Sequence, residues 1–295
     1  MKKLKYILLI TIAVFTITSN VSADYNSNSI LFVNIPNGAR ETAMGETGVS
    51  HSHGGSAAWW NPAFLATDNS EIEFQIFRRI LDAKGSFGSA RFTTSWGGFG
   101  VYYFNQGMND FEARDRPGPS QGSFSVHQTL FAGGIAFRMK QNIKIGMVCK
   151  TALDDIYGDR NDGDYALDFG VGWSMEGWSV GAAIANMELN NDSYNPFPTS
   201  QRAGVSYRRQ INQFDALVSG EGFNVLDGDN YFHFGVEAGW MNTLFLRGGY
   251  MIGHDSRNVS FGTGVKLKRY SADISITPFS NELGTVWRCG LGIAI

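Results

Sequence analysis

The sequence has few of the features that mark soluble enzymes and nucleic-acid-binding proteins. Charged residues make up 17% of the 295 residues, below the usual quarter, and the formal net charge is −3. No block of Lys and Arg is present to neutralise phosphates, which argues against nucleic acid as a partner. The sequence also has no Gly-x-Ser-x-Gly elbow, P-loop or dinucleotide fingerprint. We therefore predict a protein that is not an enzyme, with no catalytic residues and no cofactor.

Cysteine is scarce, and the two in the chain are Cys149 and Cys289. Each shares a face with apolar residues of an alternating segment, and the two segments are far apart in the chain. A disulfide needs Cα atoms within about 7 Å. We therefore predict two free thiols that act as small hydrophobic side chains.

Residues suited to binding metal ions are also few. Glu46, His51 and His53 are close in sequence, but two His two residues apart in a Gly-rich stretch make a poor ligand geometry. The acidic segment 154–164 does not keep the spacing of a helix-loop-helix calcium site, and we interpret it as a solvated loop. The sequence therefore predicts no metal site.

Long hydrophobic runs are missing except at the N-terminus. Lys2, Lys3 and Lys5 precede an apolar run over 6–17, and the small-residue site 21–23 follows it. This pattern predicts a secretory signal peptide over 1–23. An uncleaved anchor helix is the alternative, although the run is short for crossing a bilayer. After Ala23 no stretch approaches 18 apolar residues, so we expect no membrane helix in the exported chain.

What the sequence does contain is alternation with a period of two residues. In 165–175, 232–240 and 259–267, large apolar side chains alternate with Gly, Ala, Ser and occasional charges. Gly is abundant, at 36 residues, and aromatics make up 14%. In a soluble β-sandwich the face opposite the large apolar residues carries polar side chains that contact bulk solvent. Here that face carries mostly Gly, Ala and Ser, which suit a crowded aqueous lumen. Lipid outside and water inside is the arrangement of a transmembrane β-barrel.

Counting the alternating segments predicts an all-β fold, a transmembrane antiparallel β-barrel of about fourteen strands. Short connections such as 176–177 and 268–269 alternate with longer polar ones such as 106–124 and 188–201. Short periplasmic turns and longer external loops are typical of the outer membrane of Gram-negative bacteria, which is the localisation we expect. The predicted strands are 71–78, 85–95, 99–105, 126–138, 143–153, 165–175, 178–187, 202–208, 214–223, 231–240, 244–252, 259–267, 270–276 and 285–293.

The segment 24–70 differs from the barrel region 71–295. It shows little alternation and is rich in Gly and Pro, which indicates irregular or briefly helical structure. Irregular backbone is tolerated at membrane depth only where it is buried in protein. We therefore predict that 24–70 forms an N-terminal hatch, or plug, inside the lumen.

Three blocks of this hatch segment carry a resemblance to a known family. They are Ile35-Pro36-Asn37-Gly38-Ala39-Arg40, then Ala43-Met44-Gly45-Glu46, then Trp59-Trp60-Asn61-Pro62-Ala63-Phe64-Leu65-Ala66. In this order they resemble the opening of the PorV/PorQ family, which is related to the FadL long-chain fatty-acid transporters. The resemblance implies a fourteen-stranded barrel plugged by a hatch, and its hatch motif here is Pro36, Gly38, Arg40, Met44, Gly45, Trp60, Asn61, Pro62 and Ala63.

Two roles within this motif have alternatives. Asn61-Pro62-Ala63 is interpreted as a hatch anchor, with an ordinary Asn-Pro turn before the first strand as the alternative. Arg40 is expected to pair with a carboxylate of the lumen, and simple solvation is the alternative.

Side-chain parity predicts charged residues inside the barrel. Opposite signs fall on neighbouring strands, so we expect cross-strand pairs of Glu237 with Arg247, and of Asp273 with Lys266 and Arg288. An ion pathway is the alternative interpretation. The predicted lumen charges are Asp168, Arg202, Asp215, Glu221, Glu237, Arg247, Lys266, Asp273 and Arg288.

Three functions fit this sequence. The first is transport of hydrophobic small molecules, held in a pocket between hatch and wall at Leu31, Phe32, Met44 and Phe64. The second, implied by the resemblance to PorV, is handling of type IX secretion cargo, and the modest external loops favour it. The third is a structural or weakly conducting barrel with no dedicated substrate. The expected partners are outer-membrane lipid and either a hydrophobic ligand or an exported protein.

Overall fold

The computed structural model describes residues 31–67, 69–112, 122–139, 142–156, 159–161, 165–189, 197–226 and 228–295. The predicted signal peptide 1–23 lies outside these ranges, as do 157–158 and 162–164 of the predicted loop 154–164. The described part of that segment is strand, so the prediction of a loop is wrong there. Within these ranges the structure has two short α-helices, α1 (Ala39–Ala43) and α2 (Ala57–Trp60), and 3-10 helices at Leu31–Asn34, Pro62–Ala66 and Ile80–Asp82. Among the described residues, no helix is long and apolar enough to cross a membrane.

The rest of the described chain is almost entirely strand. The barrel strands are β1 (Glu71–Arg78), β2 (Lys84–Thr93), β3 (Gly97–Glu112), β4 (Ser123–Arg138), β5 (Ile143–Ile156), β6 (Tyr165–Met175), β7 (Trp178–Glu188), β8 (Ser200–Ile211), β9 (Phe214–Val225), β10 (Asn230–Trp240), β11 (Leu244–Ile252), β12 (Val259–Leu267), β13 (Tyr270–Pro278) and β14 (Thr285–Ala294). A short strand, Asp159–Asn161, pairs with the end of β5.

The strands close into an antiparallel barrel. Each barrel strand pairs with the next in sequence, and β14 returns to β1, with Phe74 opposite Leu291. Closure leaves no open sheet edge within the described strands. The predicted fold, a barrel of fourteen antiparallel strands, is confirmed.

The hairpin of β3 and β4 is longer than the sequence predicts. Strand β3 continues to Glu112 and β4 begins at Ser123, whereas alternation alone ends the first strand near 105. The extension contains polar residues and a register shift between Met108 and Phe111. Backbone pairing continues there although the side chains no longer alternate, so the connection is shorter than the predicted loop 106–124.

Exposure alternates along the strands as the sequence predicts. On β10, Phe234 and Val236 are 49% and 54% exposed on the outside, while His233 and Glu237 are buried inside. Both cysteines are free, so the prediction of unpaired thiols is confirmed; Cys149 is exposed on β5, and Cys289 is half-buried on β14. The outer surface is therefore a continuous apolar band of the kind that lipid chains cover.

Candidate functional site

The hatch, here the described residues 31–67, lies inside the barrel and rests on inward-facing glycines. A Cβ added to Gly249 would overlap the backbone nitrogen of Gly45, and one added to Gly181 would overlap the carbonyl oxygen of Val49. Glycine is the residue that permits such close backbone approach. An added Cβ would also overlap hatch backbone at Gly146 and Gly235, and it would crowd hatch side chains at Gly170, Gly172, Gly204 and Gly262. The inward-facing glycines of the strands thus provide the surface on which the hatch packs.

Asn61 forms hydrogen bonds both within the hatch and to the barrel wall. Its Oδ1 accepts a hydrogen bond of 3.0 Å from the Ala63 amide, which caps the 3-10 helix that Pro62 begins. Its Nδ2 donates to the carbonyl oxygens of Val49 at 2.8 Å and Val171 at 3.1 Å. The bond to Val171 reaches the barrel strand β6, a contact that an ordinary Asn-Pro turn does not require.

The remaining motif residues contact other parts of the hatch and of the wall. Trp60 donates from Nε1 to the Asn37 carbonyl at 2.9 Å, and the guanidinium of Arg202 lies 4.8 Å from its ring centre. Gly38 has a φ of 87°, in the region that favours glycine, just before α1. Met44 and Gly45 pack on the glycines of β10 and β11, and the Pro36 carbonyl accepts a bond from Arg288.

Arg40 reaches the barrel wall through a buried ion pair. Its Nε and Nη2 donate to the two carboxylate oxygens of Glu237 at 2.8 and 2.9 Å. Glu237 also accepts from Arg247 at 2.7 Å and from Arg208 at 3.0 Å. Arg40 and Glu237 are 5% and 4% exposed, so this is a desolvated network rather than a solvated surface pair.

The cross-strand pairs follow the prediction in part. Glu237 and Arg247 stand opposite each other and bond, as expected. The prediction for Asp273 is wrong in its partners, because its carboxylate binds Arg247 across β12 at 2.5 Å. The intervening residue is Gly264, whose lack of a side chain leaves room for this pair. Ser271 and Ser275 stand opposite Lys266 and Arg288, which places both cations diagonal to Asp273.

Three further ion pairs inside the barrel involve predicted lumen charges. Arg202 donates to Glu221 at 2.9 Å, and the other oxygen of Glu221 accepts the hatch amides of Gly48 at 2.7 Å and Val49 at 2.9 Å. Asp168 pairs with Lys150 at 2.7 Å. Asp215 pairs with Arg208, a lumen cation that the sequence analysis missed although its parity with Arg202 along β8 points inward. Lys266 is exposed at the rim of the lumen cavity.

One sector of the interior is apolar. Between the hatch and β1–β5, the rings of Phe32 and Phe77 stack on Phe104 with centroids 5.9 and 5.5 Å apart. Trp59 and Leu130 belong to the same buried cluster. The predicted aqueous lumen is therefore absent on this side, where apolar side chains fill the space between hatch and wall.

The four residues predicted to form a ligand pocket do not converge. Phe32 and Phe64 belong to the apolar cluster, whereas Met44 is buried against Gly235 and Gly249 elsewhere in the barrel. The side chain of Leu31 lies outside the described residues. Phe32 is therefore the member of this set that faces the aromatic sector directly.

Cavities lie on both sides of the hatch. The larger, of about 890 Å³, opens among the short turns and is lined by charged and polar groups that include Arg40, His51 and Glu237. An apolar groove of about 470 Å³ lies on the outer wall at β4–β8, and its glycines Gly146 and Gly170 contact the hatch from the inside. The polar chamber therefore lies inside the barrel, and the apolar groove lies on its outer wall.

Glu41 of the hatch makes the stability of this site depend on pH. Burial is the main cause that raises its pKa to about 7 from 4.5, although Arg40 opposes the shift. A carboxyl with a raised folded pKa stabilises the fold fully below pH 4.5 and loses that contribution as the pH rises towards 7. Taken alone, the Glu41 contribution therefore lowers the midpoint of urea unfolding as the pH rises from 5 to 8.

The variant Glu41→Gln isolates this effect. His51 titrates in the opposite sense, since burial lowers its pKa to about 3, so the wild type alone mixes both contributions. As the pH rises from 5 to 8, the urea midpoint of Glu41→Gln should rise relative to that of the wild type, because the variant has no carboxyl group to ionise at this position. A difference that stays constant across this range would contradict the assignment.

Comparison with known proteins adds the fold class. No protein-family model matches the chain, and no curated protein matches its sequence. The toluene transporter TodX of Pseudomonas putida is similar in structure, with a TM-score of 0.58 and 12% identity over 88% of this chain and 96% of that one. The CymD monoaromatic hydrocarbon channel gives a TM-score of 0.60 and 10% identity over 87% and 96%. This chain shares the fold of FadL-like outer-membrane barrels.

Proposed function

We propose that this protein is an outer-membrane channel for small hydrophobic molecules, gated by its hatch. The observation that carries the proposal is the apolar sector of the interior, where Phe32 of the hatch stacks on Phe104 of the wall. A barrel serving only hydrophilic solutes has no need of an aromatic lining beside its plug.

Three other features support this function. The hatch packs closely on the wall, so passage requires the hatch to shift. The outer groove of about 470 Å³ offers an apolar surface next to the hatch anchor. The fold is shared with TodX, a toluene transporter, and with CymD, a monoaromatic hydrocarbon channel. These likenesses point to transport rather than catalysis, and we propose no enzymatic activity.

Toluene uptake tests the proposal. We expect vesicles or cells carrying the protein in the outer membrane to take up radiolabelled toluene faster than matched ones without it. Phe32→Asp should lower uptake several-fold, because it places an unpaired charge in the apolar sector. The matched control is Asn34→Asp, which adds the same charge on the same 3-10 helix beside the polar partners Asn186 and Ser200.

Two outcomes would contradict the proposal. One is toluene uptake no faster than in the absence of the protein. The other is an equal loss of uptake in Phe32→Asp and Asn34→Asp, which would deny a special role to the aromatic sector. The PorV/PorQ relationship, type IX secretion cargo, and a structural barrel without substrate remain predictions from the sequence, and a stoichiometric exported protein in native mass spectrometry would favour the second.

A further inference from the structure

A second cavity lies at the end of the barrel that carries the longer loops. It has a volume of about 380 Å³, within the range of small-molecule sites. Hatch residues 34–36 and Glu46 form one side, and the ends of β9, β10, β13 and β14 form the other. A molecule bound there would touch both hatch and wall.

The charges around this cavity do not balance. Three guanidinium groups line it, those of Arg79, Arg257 and Arg288, against the single carboxylate of Glu46. Arg257 is neutralised, because its Nε and Nη2 lie 3.0 Å from the two oxygens of Glu46. Arg79 donates to the neutral amide of Gln106 at 3.1 Å, and Arg288 donates to the Pro36 carbonyl at 3.2 Å. Two positive charges therefore remain without a carboxylate.

Buried polar atoms of three residues that line this cavity also lack hydrogen-bond partners. Among the described residues, none bonds to Nε of Arg79, Nη1 of Arg288 or Oγ1 of Thr277. Arg288 is 3% exposed and Thr277 is 1% exposed. Burial and the neighbouring Arg288 and Arg257 charges lower the pKa of Arg79 to about 9. A buried cation without a counter-charge is costly, which favours an anion at this position.

The rest of the lining is flat and apolar. Phe223 stacks on Tyr231 at 5.7 Å, and Tyr231 stacks on His254 at 4.2 Å. Ile35 and Phe279 add further apolar surface. Apolar and aromatic side chains of this kind suit an aromatic ligand.

A cation is disfavoured at the same place. Glu46, His233 and His254 bring ligand atoms within 4.8 Å of one another, a spacing that a metal ion could use. Glu46 is already paired with Arg257, however, and Arg79 and Arg288 lie on the same cavity. The net positive charge opposes binding of a dication.

We propose that this cavity binds a small aromatic carboxylate, with the carboxylate between Arg79 and Arg288 and the ring in the apolar part of the lining. Guanidinium forks match the planar geometry of a carboxylate. The inference rests on the proposed function, since it names the class of ligand that binds at the mouth of the channel before it reaches the hatch.

Isothermal titration calorimetry on the detergent-purified protein tests this site. The probes are benzoate, toluene, which keeps the ring without the charge, and inorganic phosphate, which keeps the charge without the ring. We expect benzoate to bind more tightly than either, and its affinity to weaken with added salt. Arg288→Gln and Arg79→Gln should each weaken benzoate binding about ten-fold or more, as expected for loss of a charge-assisted hydrogen bond. The control is Arg78→Gln, the neighbouring exposed residue that pairs with Asp82.

Each outcome decides for or against the site. Absence of benzoate binding by the wild type, equal affinity for toluene or phosphate, or an equal effect of Arg78→Gln would overturn it. So would tight binding of Zn²⁺ that His254→Ala abolishes. Arg288→Lys keeps the positive charge but lacks the two parallel N–H donors of the guanidinium. It should bind benzoate with intermediate affinity, and that result would show that the losses do not come from misfolding. Benzoate binding without toluene uptake would refute the channel function and support the site. Toluene uptake without benzoate binding would refute the site and support the channel function.

Discussion

Gly249→Ala is expected to displace the hatch and to destabilise the protein by about 1–3 kcal/mol, the usual cost of overpacking. The added methyl group would overlap the backbone of Met44 and Gly45, and backbone cannot rotate away as a flexible side chain can. Urea unfolding in lipid vesicles measures the loss of stability. Proteinase K cleavage of the hatch and ion conductance in planar bilayers should both increase.

Gly248→Ala is the matched control for this substitution. Gly248 is the preceding residue on β11 and faces outward, where an added Cβ would meet only Val236 at an ordinary 3.9 Å. We expect it to leave conductance and cleavage unchanged and stability equal or slightly higher, since Ala is favoured over Gly within a strand. If the two variants have the same stability, protease cleavage and conductance, the hatch does not depend on packing against the inward-facing glycines.

Arg40→Met is expected to release the hatch by breaking its buried ion pair with Glu237. The two hydrogen bonds of 2.8 and 2.9 Å are lost, while Met fills part of the volume of Arg. Removing one partner of a buried pair costs about 3–5 kcal/mol. Arg208 and Arg247 still bond to Glu237, so we expect the lower end of this range. Urea midpoint and proteinase K cleavage of the hatch report the effect.

A second substitution tests the same pair from the barrel side. Glu237→Gln keeps the shape but removes the charge shared by three arginines, so the hatch should again become accessible to protease. Arg209→Met is the control, because Arg209 is exposed on β8 beside Arg208. A stability loss in Arg209→Met equal to that in Arg40→Met would show that the effect comes from removing any arginine.

Much of the barrel was predictable from local pattern. Strands such as β6 and β10 alternate without interruption, and side chains of a strand necessarily point to opposite faces. The hatch was predictable because its Gly and Pro content excludes strands and its position requires burial. The inward orientation of Glu237 and Arg247 follows from the same parity.

The partners of these inward residues were not predictable. Asp273 binds Arg247 two strands away because Gly264 leaves space between them, a relation that no single strand encodes. The cavity near Arg79 and Arg288 likewise joins a turn after the first strand to the last strand. Residues at opposite ends of the chain become neighbours there only when the barrel closes.

The sequence by itself determined the strands, their two faces and the irregular plug, since each depends on residue order over a few positions. The tertiary structure alone decided which glycines support the hatch, which charges pair, and where an apolar sector and a positive cavity form. The physical reason is that alternation is a local property of the backbone. Contacts across the lumen depend on register, on closure and on the path of the hatch through the interior.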